Sequence, residues 1–318
     1  MEKRNVGGLT LHYDPAETEA AGIVEEACLR SVHVIGETWG LEAPSDCRVY
    51  VMTSWLRFLV DSAPWSWRIP LAITFPLWAF RIGRIWRYAA GWAQRYGRRQ
   101  AVGVKPPRLI LAADKSIGEL IYVREDDAAE KVRHATCHEL THAFMAHLRL
   151  PSWLNEGLAM VTVDHFFGKA TVRDDTLEAL GLQGALERPQ KIVRLNPADK
   201  PAVVRHYARG YWIARLIAET DLQAMRELVL VRRSRTELEN RIAAILGTSP
   251  AALWREADRL VVSHFRQPGT RGPPSDDWLN RLPRPYSPAC CRGDAATLRN
   301  PMTRNRVSLP RTDAGDHS

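Results

Sequence analysis

Apolar and polar positions alternate in three short stretches of the chain and predict β-strands there. These stretches are residues 8–13, 48–53 and 108–112. Asp14 and Pro15 then indicate the start of a helix that runs to about Trp39, because proline is compatible with a first helical turn. The pattern predicts a small β-sheet in the N-terminal part of the protein.

From residue 127 onward the apolar positions recur every three or four residues, which is typical of helices. Asp127 followed by Glu130 resembles a capping box, and Pro151 marks the end of this helix. A second helix is expected to begin near Ser152, and residues 200–265 are expected to be entirely helical. Beyond residue 267 the chain is rich in Pro, Gly, Arg and Asp, which predicts a disordered tail.

These elements predict an α+β protein with a small N-terminal sheet and a C-terminal helical subdomain. The expected parts are residues 1–54, a strand–helix–strand unit; 55–105, an insertion rich in Trp and Arg; 106–266, the long helices; and 267–318, the tail.

The composition is that of a globular protein, with 318 residues, 45% of them hydrophobic and 25% charged. Its net charge of +8 is concentrated, since nine basic residues and no acidic ones lie between Asp61 and Asp114. The five cysteines form no CxxC pair and no disulfide-rich pattern, which favours reduced thiols. The first residues lack the apolar run of a signal peptide, so a cytoplasmic location is expected.

A candidate metal site lies at His138, Glu139 and His142, which form an HExxH motif. Histidines four residues apart on a helix project from nearly one face and can bind one ion. Glu156, in the sequence Trp-Leu-Asn-Glu-Gly-Leu-Ala, is the candidate third ligand. A catalytic zinc site uses three protein ligands and leaves a position for water, which Glu139 can deprotonate.

HExxH followed by WLNEGLA resembles the gluzincin metallopeptidases. The separation between His142 and Glu156 is shorter than in the zinc aminopeptidases of that clan and is more like that of the small bacterial peptidase-MA-like domains. The resemblance covers residues 6–53 and 106–262. It implies a zincin-type active-site helix, a bound Zn²⁺ and peptide hydrolysis.

The stretch His-Tyr-Ala-Arg-Gly around Tyr207 is similar to a Tyr-bearing stretch of those aminopeptidases. The resemblance implies that Tyr207 donates a hydrogen bond to the oxyanion of the reaction, with Tyr211 as the alternative. It also implies that an edge strand pairs with the substrate backbone, for which residues 108–112 are the best local candidate. Asp164 could orient a ligating histidine only if its helix bends or ends.

The segment from Trp55 to Gln100 contains six of the eleven tryptophans. From Pro76 onward a helical period predicts an apolar face opposite an Arg-rich face, which suits an anionic membrane surface contacted by residues 62–104. The apolar positions are Trp78, Ile82, Ile85, Ala89, Trp92 and Tyr96, and the arginines are Arg84, Arg87, Arg95 and Arg98. A helical lid with buried aromatics is the alternative; nucleic-acid binding lacks a recognised module.

The sequence thus predicts a zinc-dependent peptidase that acts on peptide or protein substrates. Because no segment resembles the amino-terminus-binding stretch of the aminopeptidases, an endopeptidase is favoured. The alternative is a non-catalytic, membrane-attached binding or scaffold protein that keeps a peptidase-like fold.

Overall fold

The computed structural model describes residues 1–86, 89–111, 118–181 and 199–266. Its strands are β1 Glu2–Val6, β2 Leu9–Tyr13, β3 Cys47–Val51, β4 Gly91–Tyr96 and β5 Arg99–Val104. Its first helices are α1 Thr18–Trp39, α2 Trp55–Ser62, α3 Trp65–Trp86, α4 Pro107–Leu111 and α5 Gly118–Ile121. The later ones are α6 Ala128–Met145, α7 Ser152–Phe167, α8 Asp175–Gly181, α9 Lys200–Thr220, α10 Leu222–Leu230, α11 Arg235–Ile245 and α12 Leu253–Phe265.

The five strands form one mixed sheet in the order β1-β2-β3-β5-β4. Strands β2, β3 and β5 are parallel, whereas β1 and β4 are antiparallel to their neighbours and lie at the two edges. A two-residue turn joins β4 to β5, and its first residue, Gly97, has a φ of 62°. Glycine at this position is typical of a hairpin turn, because a side chain would be strained there.

Both faces of the sheet are covered, because successive strand residues point to opposite sides. Val49 and Val102 belong to the main core, which α1 and α6 also line. Tyr50 and Ala101 belong to a second cluster that includes Phe58 of α2. Helices α2 and α3 therefore cover the face of the sheet that α6 does not.

Most of the sequence-based elements are confirmed. Strands β2 and β3, the long helix α1, the motif helix α6 with its Asp127 cap, and α7 all occur where the patterns predict them. Residues 200–265 are helical apart from short connections, as expected. The mixed α+β class with a small N-terminal sheet is also as predicted.

Two predictions are wrong. Residues 108–112 were expected to form a strand, but the described part forms helix α4, which begins at Pro107 and has its first bonds to the carbonyl of Pro106. Proline is compatible with a helix start, and the apolar run Leu-Ile-Leu is too short to distinguish strand from helix. The candidate edge strand for substrate is therefore not at residues 108–112.

The helix expected from Pro76 to Tyr96 ends at Trp86, and Trp92 and Tyr96 lie in strand β4. Residues four apart share one face of a helix and also one face of a strand, so the spacing of Trp92 and Tyr96 fits both. Strands β4 and β5 belong to the sheet, so only the part of 55–105 that precedes them is a helical insertion. The alternative of buried aromatics holds in part, since Trp55, Trp86 and Trp92 pack against the second cluster.

The described residues all belong to one compact unit. The tail predicted for 267–318 and the position of Arg87 lie outside the described residues. Within the part of the chain that the structure describes, no helix is long and apolar enough to cross a membrane.

Candidate metal centre

Helix α6 positions the HExxH residues at the boundary between core and solvent. Its start is capped by Asp127, whose carboxylate accepts a hydrogen bond from the Ala129 amide at 2.8 Å. Leu140 and Phe144 are buried in the main core and fix the rotation of the helix. The two histidines of the motif consequently lie together on its partly exposed side.

Helix α7 brings the third candidate ligand to this pair. It begins at Ser152 after Pro151, and Trp153 and Leu154 are almost completely buried. Glu156 follows them and points its carboxylate at the histidines. Its Oε2 lies 3.3 Å from His138 Nε2 and 3.5 Å from His142 Nε2.

The three donor atoms have the spacing of a tetrahedral metal site. The two Nε2 atoms of His138 and His142 are 3.1 Å apart, so the edges of the triangle are 3.1, 3.3 and 3.5 Å. Donors bonded to one zinc at tetrahedral angles are about 3.4 Å apart. Among the described residues, His138, His142 and Glu156 form the group that could hold a metal ion.

Electrostatics also favour a cation between these groups. Burial raises the pKa of Glu156, but His142 and His138 outweigh it and hold that pKa well below its usual value. Burial lowers the pKa of His142, but the Glu156 carboxylate more than offsets this and raises it to about 9. Positive charge is therefore stabilised at the centre of the triangle.

Asn155, the residue before the third ligand, orients His142. Its side-chain amide lies 2.8 Å from His142 Nδ1. The nearer amide atom is the nitrogen Nδ2, which donates to Nδ1 in this orientation. A 180° rotation of the amide would bring its oxygen there instead, so that Nδ1 would carry the proton and Nε2 would keep its lone pair for a metal. This contact explains the Asn of the Asn-Glu-Gly sequence.

Glu139 lies between the histidines and the edge strand β4. A side chain at Gly91 would place its Cβ 2.5 Å from Glu139 Cγ, so β4 approaches the carboxylate through a residue without a side chain. The backbone N–H of Ala93 is close enough to this carboxylate to lower its pKa, although burial outweighs that effect. Burial raises the pKa of this carboxyl group, which makes it a better proton acceptor.

Helices α7 and α9 cross at backbone contact. A Cβ at Gly157 would lie 2.1 Å from the Gly210 carbonyl oxygen, and a Cβ at Gly210 would lie 2.3 Å from the Trp153 carbonyl oxygen. Glycine at both positions is thus required by packing. The crossing sets residues of α9 close beside Glu156, which precedes Gly157 in the chain.

Tyr207 is one of the residues that the crossing brings to the site. It is partly buried, and burial together with the nearby Glu156 carboxylate raises the pKa of Tyr207 well above its ordinary value. Its hydroxyl therefore keeps its proton and can act as a donor. The pKa of Tyr122 is also raised well above its ordinary value by burial and by the Glu156 carboxylate, so this hydroxyl keeps its proton as well.

The sequence contains no signal for Tyr122. It follows the short helix α5, outside the motif helix, and its backbone pairs with Val172 in the segment after α7. His134, four residues before the first ligand, packs against the Tyr122 ring at 4.4 Å, and the structure does not place it among the candidate ligands.

The hydroxyl of Tyr211 is hydrogen-bonded to Asp164 and not to the candidate metal ligands. It is completely buried and donates a hydrogen bond of 2.6 Å to Asp164 Oδ2. The other oxygen of Asp164 accepts bonds from the backbone N–H and the hydroxyl of Thr171 at 2.7 and 2.6 Å. Asp164 thus links α7 to α9 and to the segment after α7, and it does not orient a ligating histidine.

No family model and no curated protein matches the sequence.

Proposed function

We propose that this protein is a zinc-dependent endopeptidase of the gluzincin type. The observation that carries the proposal is the triangle of His138, His142 and Glu156 donor atoms, whose edges of 3.1, 3.3 and 3.5 Å match tetrahedral zinc. Glu139 stands beside this triangle against an edge strand, where a general base would be needed.

The donor set fits zinc in its chemistry as well as its spacing. Two imidazole nitrogens and one carboxylate oxygen are a common set for catalytic zinc, with one position left open. Zinc bound there would polarise the carbonyl of a substrate and make a water molecule more acidic.

Glu139 would move the proton. Its raised pKa suits a carboxylate that accepts a proton from the attacking water as the water oxygen bonds to the carbonyl carbon. The same proton then passes from Glu139 to the amide nitrogen as the carbon–nitrogen bond breaks. Atoms and charge balance, because one water and one peptide bond give a carboxylic acid and an amine.

Strand β4 would hold the substrate backbone. It lies at the end of the sheet and pairs with β5 on one side, and its Gly91 and Ala93 contact Glu139. An extended peptide added to this edge would pass close to the general base. Binding through the backbone also suits cleavage within a chain, as does the lack of a recognisable amino-terminus-binding segment.

Tyr207 would stabilise the oxyanion that forms when water attacks the carbonyl. Burial and the nearby Glu156 carboxylate raise the pKa of Tyr207, so its hydroxyl keeps the proton that a donor to a developing negative charge requires. Tyr211 is a poorer candidate because Asp164 already accepts its proton.

The decisive experiment combines metal analysis with proteolysis of an unfolded protein substrate. We expect about one zinc per chain in the wild type and in Glu139→Gln, but activity about 10²–10⁴-fold lower in the variant. Glu130→Gln is the matched control, since Glu130 lies on the same helix and pairs with Arg133 at the surface. Its activity and zinc content should equal the wild type.

A second pair of variants tests whether zinc binding depends on a candidate ligand or on any histidine of this region. His142→Ala should lose both zinc and activity, whereas His147→Ala, an exposed histidine just past the end of α6, should lose neither. Wild-type protein without zinc would refute the proposal. Zinc without activity on any unfolded substrate would instead support the non-catalytic scaffold.

A further inference from the structure

Large apolar side chains are exposed in one short stretch of α2 and α3. Seven of the thirteen exposed large hydrophobic residues among the described residues lie between positions 56 and 75. Three of them, Trp65, Ile69 and Ile73, are 76%, 60% and 75% exposed. Because they are four residues apart on α3, they form one continuous strip, here called the apolar stripe.

The apolar stripe is not the core-facing side of α3. The inward side of the helix packs against the second cluster under the sheet through Leu71, Ile82 and Trp86. The stripe points away from them. An α-helix in a globular protein ordinarily has polar residues on that outer side, and contiguous exposed apolar patches mark interaction surfaces.

The charge around the apolar stripe identifies the kind of partner. Arg68 lies between stripe residues and is exposed, with its guanidinium 5.8 Å from the Trp65 ring centre. Helix α3 contains three arginines and no acidic residue, and no acidic residue occurs between Asp61 and Asp114. The partner should therefore be both apolar and negatively charged.

We propose that the apolar stripe binds the surface of an anionic phospholipid bilayer. Trp65, Ile69 and Ile73 would enter the boundary between headgroups and acyl chains, with α3 parallel to the membrane plane, and Arg68 would pair with lipid phosphates. Tryptophan beside arginine is typical of this interface, since the ring is amphipathic and the guanidinium binds phosphate. The helix lies on the bilayer and does not span it, in line with the absence of a membrane-crossing helix among the described residues.

The inference is independent of the proposed peptidase activity and is tested by vesicle flotation of the full chain. Vesicles contain phosphatidylcholine alone or with about one-third phosphatidylserine, which supplies the negative surface potential. We expect the wild type to float with the anionic vesicles and much less with neutral ones. The triple variant Trp65→Ser, Ile69→Ser, Ile73→Ser should lower partitioning about a hundredfold.

Two further variants make the test specific. Val123→Ser, Leu230→Ser, Val231→Ser removes three exposed apolar residues, 55%, 47% and 58% exposed, from other elements and should bind like the wild type. Arg68→Gln should lower partitioning to anionic vesicles about fivefold and leave the weak binding to neutral vesicles unchanged.

Because all these positions are exposed, unfolding midpoints near the wild-type value will show that the variants fold. Failure of the wild type to float with anionic vesicles would overturn the proposal. So would equal loss of binding in both triple variants. A wild-type oligomer in sedimentation that becomes monomeric only in the stripe variant would assign the surface to self-association instead.

Discussion

The substitution Gly157→Ala tests the crossing of α7 and α9 on which the site depends. The added Cβ would lie 2.1 Å from the Gly210 carbonyl oxygen and 3.0 Å from Ala214 Cβ. Ordinary contact begins at 3.4 Å, so the two helices would have to separate by about 1.3 Å at this point. Both atoms belong to the framework of α9, so no flexible side chain can move aside.

The expected cost follows from two opposing effects. Alanine is favoured over glycine inside a helix by about 1 kcal/mol, which alone would stabilise the variant. Overpacking of a close contact costs about 1–3 kcal/mol, and separation of the helices also exposes core residues. Because the contact at 2.1 Å is with backbone, its cost lies at the upper end of that range, and the free energy of unfolding is expected to fall by about 2 kcal/mol after the gain of about 1 kcal/mol is subtracted.

Chemical denaturation measures this change, with Gly22→Ala as the matched control. Gly22 lies inside α1, is exposed, and has nothing within 4 Å of an added Cβ, so its replacement should stabilise the protein by up to about 1 kcal/mol. The two variants should thus shift stability in opposite directions. A neutral or stabilising Gly157→Ala would refute the close crossing.

The same variant has a functional consequence if the proposed activity holds. Two candidate ligands lie on α6 and one on α7, so zinc content should be kept. Tyr207 lies on α9 and would be displaced from the site, and a misplacement of 1 Å can cost about 10²-fold in rate. Turnover should fall while bound zinc, measured by elemental analysis, stays at the wild-type level.

Three further outcomes are expected. Gly91→Ala would push a Cβ into Glu139 Cγ at 2.5 Å, so proteolysis should fall at least about tenfold with zinc content unchanged. Tyr207→Phe should lower kcat by about 10²-fold with little change in stability, whereas Tyr211→Phe, which loses a buried hydrogen bond, should cost about 1–3 kcal/mol in the free energy of unfolding. Burial and nearby cations lower the pKa of His12 from 6.5 to about 4 in the folded protein. Between these two pH values the unfolded state therefore binds more protons than the folded state, and the free energy of unfolding falls as the pH falls. The variant His12→Phe keeps an aromatic ring stacked on Tyr50 but cannot be protonated. The free energy of unfolding, measured by chemical denaturation, should therefore fall by about 2 kcal/mol less between neutral pH and pH 5 in the variant than in the wild type; an unchanged pH profile would contradict this.

The features that could be predicted from the sequence are those that depend on residues close to one another along the chain. The helix that carries His138 and His142 follows from its apolar period and its Asp127 cap, and both are local properties. Glu156 was found in the same way, from its sequence context. These predictions held for the helices because helical contacts connect residues three or four apart.

Elements that depend on distant partners were missed or misassigned. Strand β1 has little apolar alternation and forms through pairing with β2, and β4 forms through pairing with β5. The spacing of four between Trp92 and Tyr96 fits a strand as well as a helix, so periodicity could not distinguish them. Pairing partners decide such cases, and a local pattern does not contain them.

The sequence alone identified the candidate groups His138, Glu139, His142 and Glu156, each on a helix predicted in the right place. The tertiary structure alone decided what surrounds them. It put β4 against Glu139, hydrogen-bonded Tyr211 to Asp164 and brought Tyr207 near the Glu156 carboxylate. The physical reason is that residue type and periodicity are local, whereas the distance between two helices or strands depends on packing across the whole core.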